Sequence, residues 1–186
     1  MGNLLRTANI SSLVLAIIST VSYFLFEKFF LFVMLLVFWT MFYHLCFRDI
    51  GGVVIDKAFN NVINYKRKWF QPHKWEKPLY NLFKVKSWKL YMPTFDPSLF
   101  SMEKHTFEEI LMASCQAEIV HEVNMLLSLL PIILLIWTKH SLPLIMFFVI
   151  SSICASLIDS LFVMIQRFNR PRMLRVTYLE KAKKSI

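Results

Sequence analysis

Two short runs of the chain hold the residue types that perform acid–base and anion-binding chemistry. Glu118, His121 and Glu122 stand at i, i+3 and i+4, a spacing that puts all three on one helix face. A histidine with a carboxylate one turn away can be held in one tautomer and made more basic, which a general base for a hydroxyl requires. Further on, Gln166-Arg167-Phe168-Asn169-Arg170-Pro171-Arg172 closes an apolar stretch, and Arg175 adds a fourth guanidinium. Arginine presents a planar fork of donors that matches phosphate or carboxylate. A coenzyme A thioester would fit such a cluster, and so would a lipid phosphate. At a helix end, with Pro171 stiffening the turn, the group would act as a clamp.

Asp159 is the other informative charge, isolated inside an apolar stretch. An ionisable group at membrane depth is expected to face the bundle interior and find a partner; His121 or one of the arginines is the natural one. Asp159 and Gln166 are seven apart and share a face. Lys84, Lys86, Trp88 and Lys89 form a basic, aromatic knot ending at Pro93. Each group also has a plainer role open to it: a polar face at a membrane entrance, an interhelical lock, an anchor among headgroups. His44, alone in an apolar run, reads as a packing residue.

The elements that must position these groups are apolar. Of 186 residues 56% are hydrophobic, mean hydropathy is +0.51, and charges are segregated from apolar runs, which points to an integral membrane protein. The expected fold is all-α, with four transmembrane helices at about residues 8–26, 29–47, 119–137 and 142–165, each near the ~20 residues a span needs. Only Glu27-Lys28 separates the first two, so they form a hairpin, and Pro131 should kink the third. The first run is too long for a signal peptide and lacks a small-x-small site, so it is read as retained.

Eleven Lys/Arg lie between Arg48 and Glu118 and seven beyond Ile165, against Lys28 and Lys139 in the turns. Basic segments stay inside, so the expected location is the cell membrane, multi-pass, with both termini cytoplasmic. Residues 48–118 are then a cytosolic and interfacial insertion, and residues 166–186 a basic tail, within one membrane domain. In the insertion, residues 55–69 show the spacing of an amphipathic helix lying on the bilayer. Pro72, Pro78, Pro93 and Pro97 should break the next stretch into short extended or turning pieces, and Ser101-Met102-Glu103-Lys104 is a candidate capping box for a helix running into the third span. Trp69, Trp75 and Trp88, interleaved with lysine, suit an interface.

The formal net charge of +9 flanks the spans and accompanies no nucleic-acid motif, so anionic lipid headgroups, not nucleic acid, are the expected partner. Cys46, Cys115 and Cys154 show no metal or CxxC spacing and read as reduced packing residues. Glu-x-x-His occurs in di-metal bundles, but these need a second copy; no metal or other cofactor is expected. There is no G-x-S-x-G, no Gly-rich phosphate loop and no H-E-x-x-H.

Three motifs together resemble the family of small membrane acyltransferases typified by glycosyl-4,4'-diaponeurosporenoate acyltransferase, of staphyloxanthin-type carotenoid synthesis. They are Lys86-Ser87-Trp88-Lys89-Leu90-Tyr91-Met92-Pro93, then Ala117-Glu118-Ile119-Val120-His121, and Gln166 through Arg172 with Phe168 for the family's Tyr. The resemblance covers about residues 69–175. Gln116 stands where the family tends to have Arg, and Asp159 and Leu161 where it favours Asn and Pro. The resemblance implies transfer of a fatty acyl group from a thioester donor to a hydroxyl of a membrane-embedded lipid or glycolipid acceptor. His121 would be the general base, oriented by Glu118 and Asp159. Gln166, Arg167, Asn169, Arg170 and Arg172 would hold the donor's phosphate or carbonyl, with Trp88, Lys89 and Glu122 shaping the entrance. The rival expectations are a four-span lipid-binding, transport or scaffold subunit and another lipid-modifying transferase.

Overall fold

A computed structural model describes residues 2–92, 97–135 and 141–184, and among these the chain is helical with no strand. Helix α1 (Gly2–Phe26) and α2 (Phe29–Phe59) form the expected hairpin, the turn made by Glu27 in the left-handed region at φ 47. Small residues let the two approach, as van der Waals packing between apolar helices in lipid requires. Ala16 and Ser12 are fully buried, and Trp39 Nε1 donates to Thr20 Oγ1 (2.9 Å) across the hairpin.

Helices α5 (Phe107–Leu135) and α6 (Leu142–Lys184) form the second pair. Ser114 Oγ donates to Gln166 Oε1 (2.8 Å), and His121 Nδ1 lies 3.0 Å from Asp159 Oδ1. Between these two contacts the chain advances seven residues on α5 and retreats seven on α6, so the helices run antiparallel. Helix α2 joins them along α5, also antiparallel: Tyr43 Oη donates to the Leu127 carbonyl (2.7 Å) and Gln116 Nε2 to Asp56 Oδ1 (3.0 Å). A Cβ on Gly51 would lie 2.7 Å from Asn124 Oδ1, whereas one on Gly52 would meet nothing within 4 Å.

Among the described residues three helices are long and apolar enough to cross a membrane: Leu4–Phe26, Phe29–Phe59 and Leu142–Lys183. The expected third span, about residues 119–137, is not among them. The expected end of that span at Trp137 and the turn residues Lys139 and His140 lie outside the described residues.

Other expectations need correction. Helix α2 does not end near residue 47 but runs on to Phe59, closed by Asn60 and Asn61 in the left-handed region (φ 45 and 57). No amphipathic helix spans 55–69. Instead Ile63, Tyr65 and Phe70 turn inward and pack with Leu111, Cys115 and Leu174 in a small core at the basic end of the bundle. The proline-rich stretch is broken into short pieces, as expected, and these turn rather than extend: α3 (Glu76–Leu82) and α4 (Val85–Trp88), with 3-10 turns at Lys68–Phe70, Lys89–Tyr91 and Pro97–Phe100. Pro78 sits in the first turn of α3, where its missing N–H has no intrahelical partner to lose; Pro93 lies outside the described residues.

The capping box is Thr106-x-x-Glu109, not the run from Ser101. Thr106 N donates to Glu109 Oε2 (2.7 Å) and Glu109 N to Thr106 Oγ1 (3.3 Å). The box needs an acceptor side chain three residues on, and Lys104 offers only donors. Pro171 does not end a helix either: α6 continues through it to Lys184. A mid-helix proline costs about 3 kcal/mol, and here the helix is pinned on both sides, by Arg167 and Arg170 before and by buried Leu174 and Thr177 after.

The two glycines make a paired prediction. Gly51→Leu should lower stability by ~1–3 kcal/mol through overpacking against Asn124, while Gly52→Ala should raise it by up to about 1 kcal/mol through helix propensity. Thermal unfolding of the purified protein in nanodiscs distinguishes them; equal effects would contradict the packing of α2 on α5.

Candidate active site

The site is built along the α5–α6 seam. Its centre is Asp159 on α6, 1% exposed. Arg48 of α2 donates Nη2 to Asp159 Oδ2 (2.6 Å) and to the Ala155 carbonyl (2.9 Å), balancing the buried charge. The other carboxylate oxygen faces His121 Nδ1 of α5 at 3.0 Å. A carboxylate can only accept, so a neutral imidazole there must carry its proton on Nδ1, leaving Nε2 with a free lone pair. The ring is stacked flat on Phe162 (4.5 Å between centroids, 7° between planes), which fixes its plane. Among the described residues Nε2 has no hydrogen-bond partner. Helix α6 thus holds the imidazole of α5 by one face and one nitrogen, and α2 braces the carboxylate that does so.

One turn toward the basic end lies Glu118, fully buried. It does not touch His121. Its Oε1 accepts from Arg167 Nη1 (2.6 Å), and Oε2 lies 2.5 Å from Arg170 Nη2, an ion pair at an angle that is not a hydrogen bond's. Arg167 also donates Nε (2.9 Å) and Nη2 (2.5 Å) to Glu76 Oε1 of α3, and Nη1 to the Trp69 carbonyl (3.0 Å). Arg170, 1% exposed, reaches the Phe70 carbonyl (3.3 Å) and lies over the Phe70 ring. Tyr80 Oη donates to Glu76 Oε2 (2.9 Å); burial first, then the adjacent carboxylate, pushes this phenol's pKa above its usual range, so it stays a donor. Two carboxylates and two guanidiniums make a closed, neutral knot tying α3 and the Trp69–Gln71 turn to α5 and α6.

The sequence-expected residues therefore divide. Arg167 and Arg170 face inward and spend their donors on Glu76, Glu118 and backbone carbonyls. Gln166 accepts from Ser114, and Glu122 accepts from Trp69 Nε1 at 3.2 and 3.1 Å. Trp88 Nε1 donates to the Phe83 carbonyl (2.9 Å) within its own segment. Lys89 Nζ donates to Asn169 Oδ1 (2.7 Å) and lies over the Phe168 ring. Burial, then the neighbouring Arg172 and Lys86, lowers the Lys89 pKa. Arg172 is exposed, with no ion pair among the described residues.

Two residues escaped the sequence reading. Arg48 looked like one more boundary charge, although it stands four residues after His44 on the same helix face. Glu76 was one acid among lysines. Among the described residues no group of three or more His, Cys, Asp and Glu could hold a metal, and the three cysteines are free. A surface cleft at the start of α5, lined by residues 102–107, Glu109 and Glu180, contains none of these groups.

A family model described as glycosyl-4,4'-diaponeurosporenoate acyltransferase matches residues 66–178. That stretch holds Glu76, Lys89, Glu118, His121, Asp159 and the arginines, and leaves α1 and Arg48 outside. No curated protein and no solved structure gives a match.

Removing one member of a buried ion pair strands the other. Glu118→Gln should destabilise the protein by about 3–5 kcal/mol, whereas Arg172→Gln should change stability by less than ~0.5 kcal/mol. Thermal unfolding checks both, and a near-neutral Glu118→Gln would contradict the knot.

Proposed function

Since the chain belongs to the glycosyl-4,4'-diaponeurosporenoate acyltransferase family, we propose that it moves a fatty acyl group from a thioester donor to a hydroxyl of a membrane-embedded glycolipid, with His121 as general base. The observation that carries this reading is an imidazole whose Nδ1 faces a buried carboxylate while Nε2 has no partner among the described residues. In the proposed step the acceptor hydroxyl gives its proton to His121 Nε2 as its oxygen attacks the thioester carbonyl. The C–S bond then breaks, and the departing thiolate takes the proton back. Asp159 stabilises the transient imidazolium and holds its tautomer, and Arg48 keeps Asp159 in place. No redox change is needed, and no metal or cofactor beyond the donor.

Donor phosphate falls to the cations that the knot leaves open. Lys89 and Arg172, with Lys86 beside them, form a positive surface on the Asn169 side of α6, and Asn169 positions the ammonium. Arg167 and Arg170 act on the reaction through position: they hold Glu118 and hence the turn of α5 that carries His121. Trp88, Gln166 and Glu122 shape the approach without touching the reacting atoms.

The topology that suits this chemistry is four spans, with α5 crossing beside α6 from about residue 119, and both termini and the 48–118 segment in the cytoplasm. His121 then lies at the cytosolic lip, where a soluble thioester and a lipid hydroxyl can meet. A headgroup-gripping scaffold would want its arginines outward, and two of the four face in.

Two measurements test the assignment in membranes supplied with radiolabelled acyl-coenzyme A and a glycolipid acceptor. His121→Ala should lower turnover by about 10²–10⁴-fold with the fold intact; undiminished turnover would discard the base. The pair Lys89→Ala and Arg172→Ala should raise KM for the donor by roughly tenfold while kcat changes little, as loss of uniform binding does; an unchanged KM would move the donor elsewhere.

A further inference from the structure

Deeper along the same seam lie polar groups that the step above does not use. Among the described residues, buried His44 of α2 has no hydrogen-bond partner at either ring nitrogen. Nor, among them, has the hydroxyl of fully buried Ser152 of α6, or Oδ1 of Asn124 of α5, which is 4% exposed. A buried polar atom without a partner bears its full desolvation penalty, so a cluster of them in an apolar bundle calls for a ligand or water.

The helix pairings put these groups together. Continuing the register that joins Ser114 to Gln166 and His121 to Asp159 by another seven residues pairs Ser128 with Ser152, and Ser128 is also buried. Helix α2 runs antiparallel to α5 and hence parallel to α6, with Arg48 at the level of Ala155 and Asp159. One turn back on each places His44 level with Ser152. His44, Ser128 and Ser152 therefore share a layer two helical turns from His121, about 10 Å along the axis, and Asn124 lies between.

We infer that this layer is the far half of the acceptor subsite: it binds the oxygen atoms of the lipid's sugar headgroup that lie nearest the apolar chain, while the hydroxyl to be acylated sits at His121. This rests on the acyltransferase reading. A hexose with a hydrogen bond of about 3 Å at each end spans the gap between the two levels. Neutral imidazole offers one donor and one acceptor, serine both, and Asn124 Oδ1 an acceptor, a set that suits hydroxyl and linkage oxygens. A plain long-chain alcohol would leave all of them unpaired, so the layer selects for a headgroup that carries several oxygens.

The test uses the full chain in nanodiscs with acyl-coenzyme A and two acceptors, octadecyl glucoside and octadecanol. His44→Leu and Ser152→Ala should each raise KM for octadecyl glucoside tenfold or more, leave kcat within about twofold, and leave KM for octadecanol unchanged. His44→Leu should not lower the unfolding temperature, because it removes unpaired polar atoms. Unchanged KM for octadecyl glucoside in both variants would overturn the subsite and assign the layer to water. Should the wild type acylate neither acceptor, the acyltransferase reading fails by itself. Equilibrium binding of octadecyl glucoside, weakened tenfold by His44→Leu or not weakened, then decides the subsite alone.

Discussion

A single buried carboxylate organises the functional half of this molecule. Glu118 has no exposed surface and holds Arg167 and Arg170 from the neighbouring helix. Neither guanidinium would tolerate burial without a counter-charge. With Glu76 closing the other side of Arg167, the charges cancel, and the backbone carbonyls of Trp69 and Phe70 accept from Arg167 Nη1 and Arg170 Nη1. The segment between α2 and α5, rich in lysine and proline, is thereby tied to the bundle by its buried acid. The knot adds specificity of register more than net stability, since a well-packed apolar core would serve stability as well.

Register is what the proposed chemistry depends on. One turn past Glu118 on α5 comes His121, and two turns before Arg167 on α6 comes Asp159. If the knot slipped by a turn, the imidazole would lose its carboxylate and its Phe162 platform together. The two charge groups differ in kind. The outer one pairs every charge with an opposite one, Arg167 with Glu76 and Glu118, and Arg170 with Glu118. Among the described residues the inner one leaves a ring nitrogen without a partner, and beyond it the His44 ring nitrogens, Asn124 Oδ1 and the Ser152 hydroxyl lack one too.

Much of this was legible in the residues. Spacing placed Glu118 and His121 on one face, and the cost of a lone charge in an apolar run required a partner for Asp159, which His121 supplies. The α1–α2 hairpin followed from a two-residue separation between apolar runs. What spacing did not convey was direction. An arginine cluster reads the same whether it faces solvent or an acid ninety-one positions away in the chain, and Glu76 carried no local sign of that partner. Arg48 stood at a membrane boundary where arginines are common. The persistence of α6 through Pro171 is tertiary as well: local preference stops a helix there, and the knot and the Leu174 contacts override it.

The account stands or falls on whether His121 and Asp159 act as one unit. A double-mutant cycle on acyl transfer, with His121→Ala, Asp159→Asn and both together, measures that directly. Groups that act as a unit are strongly non-additive, so the double variant should be no slower than His121→Ala alone. Multiplicative losses would show that Asp159 works independently of the imidazole, and the proposed site would have to be rebuilt.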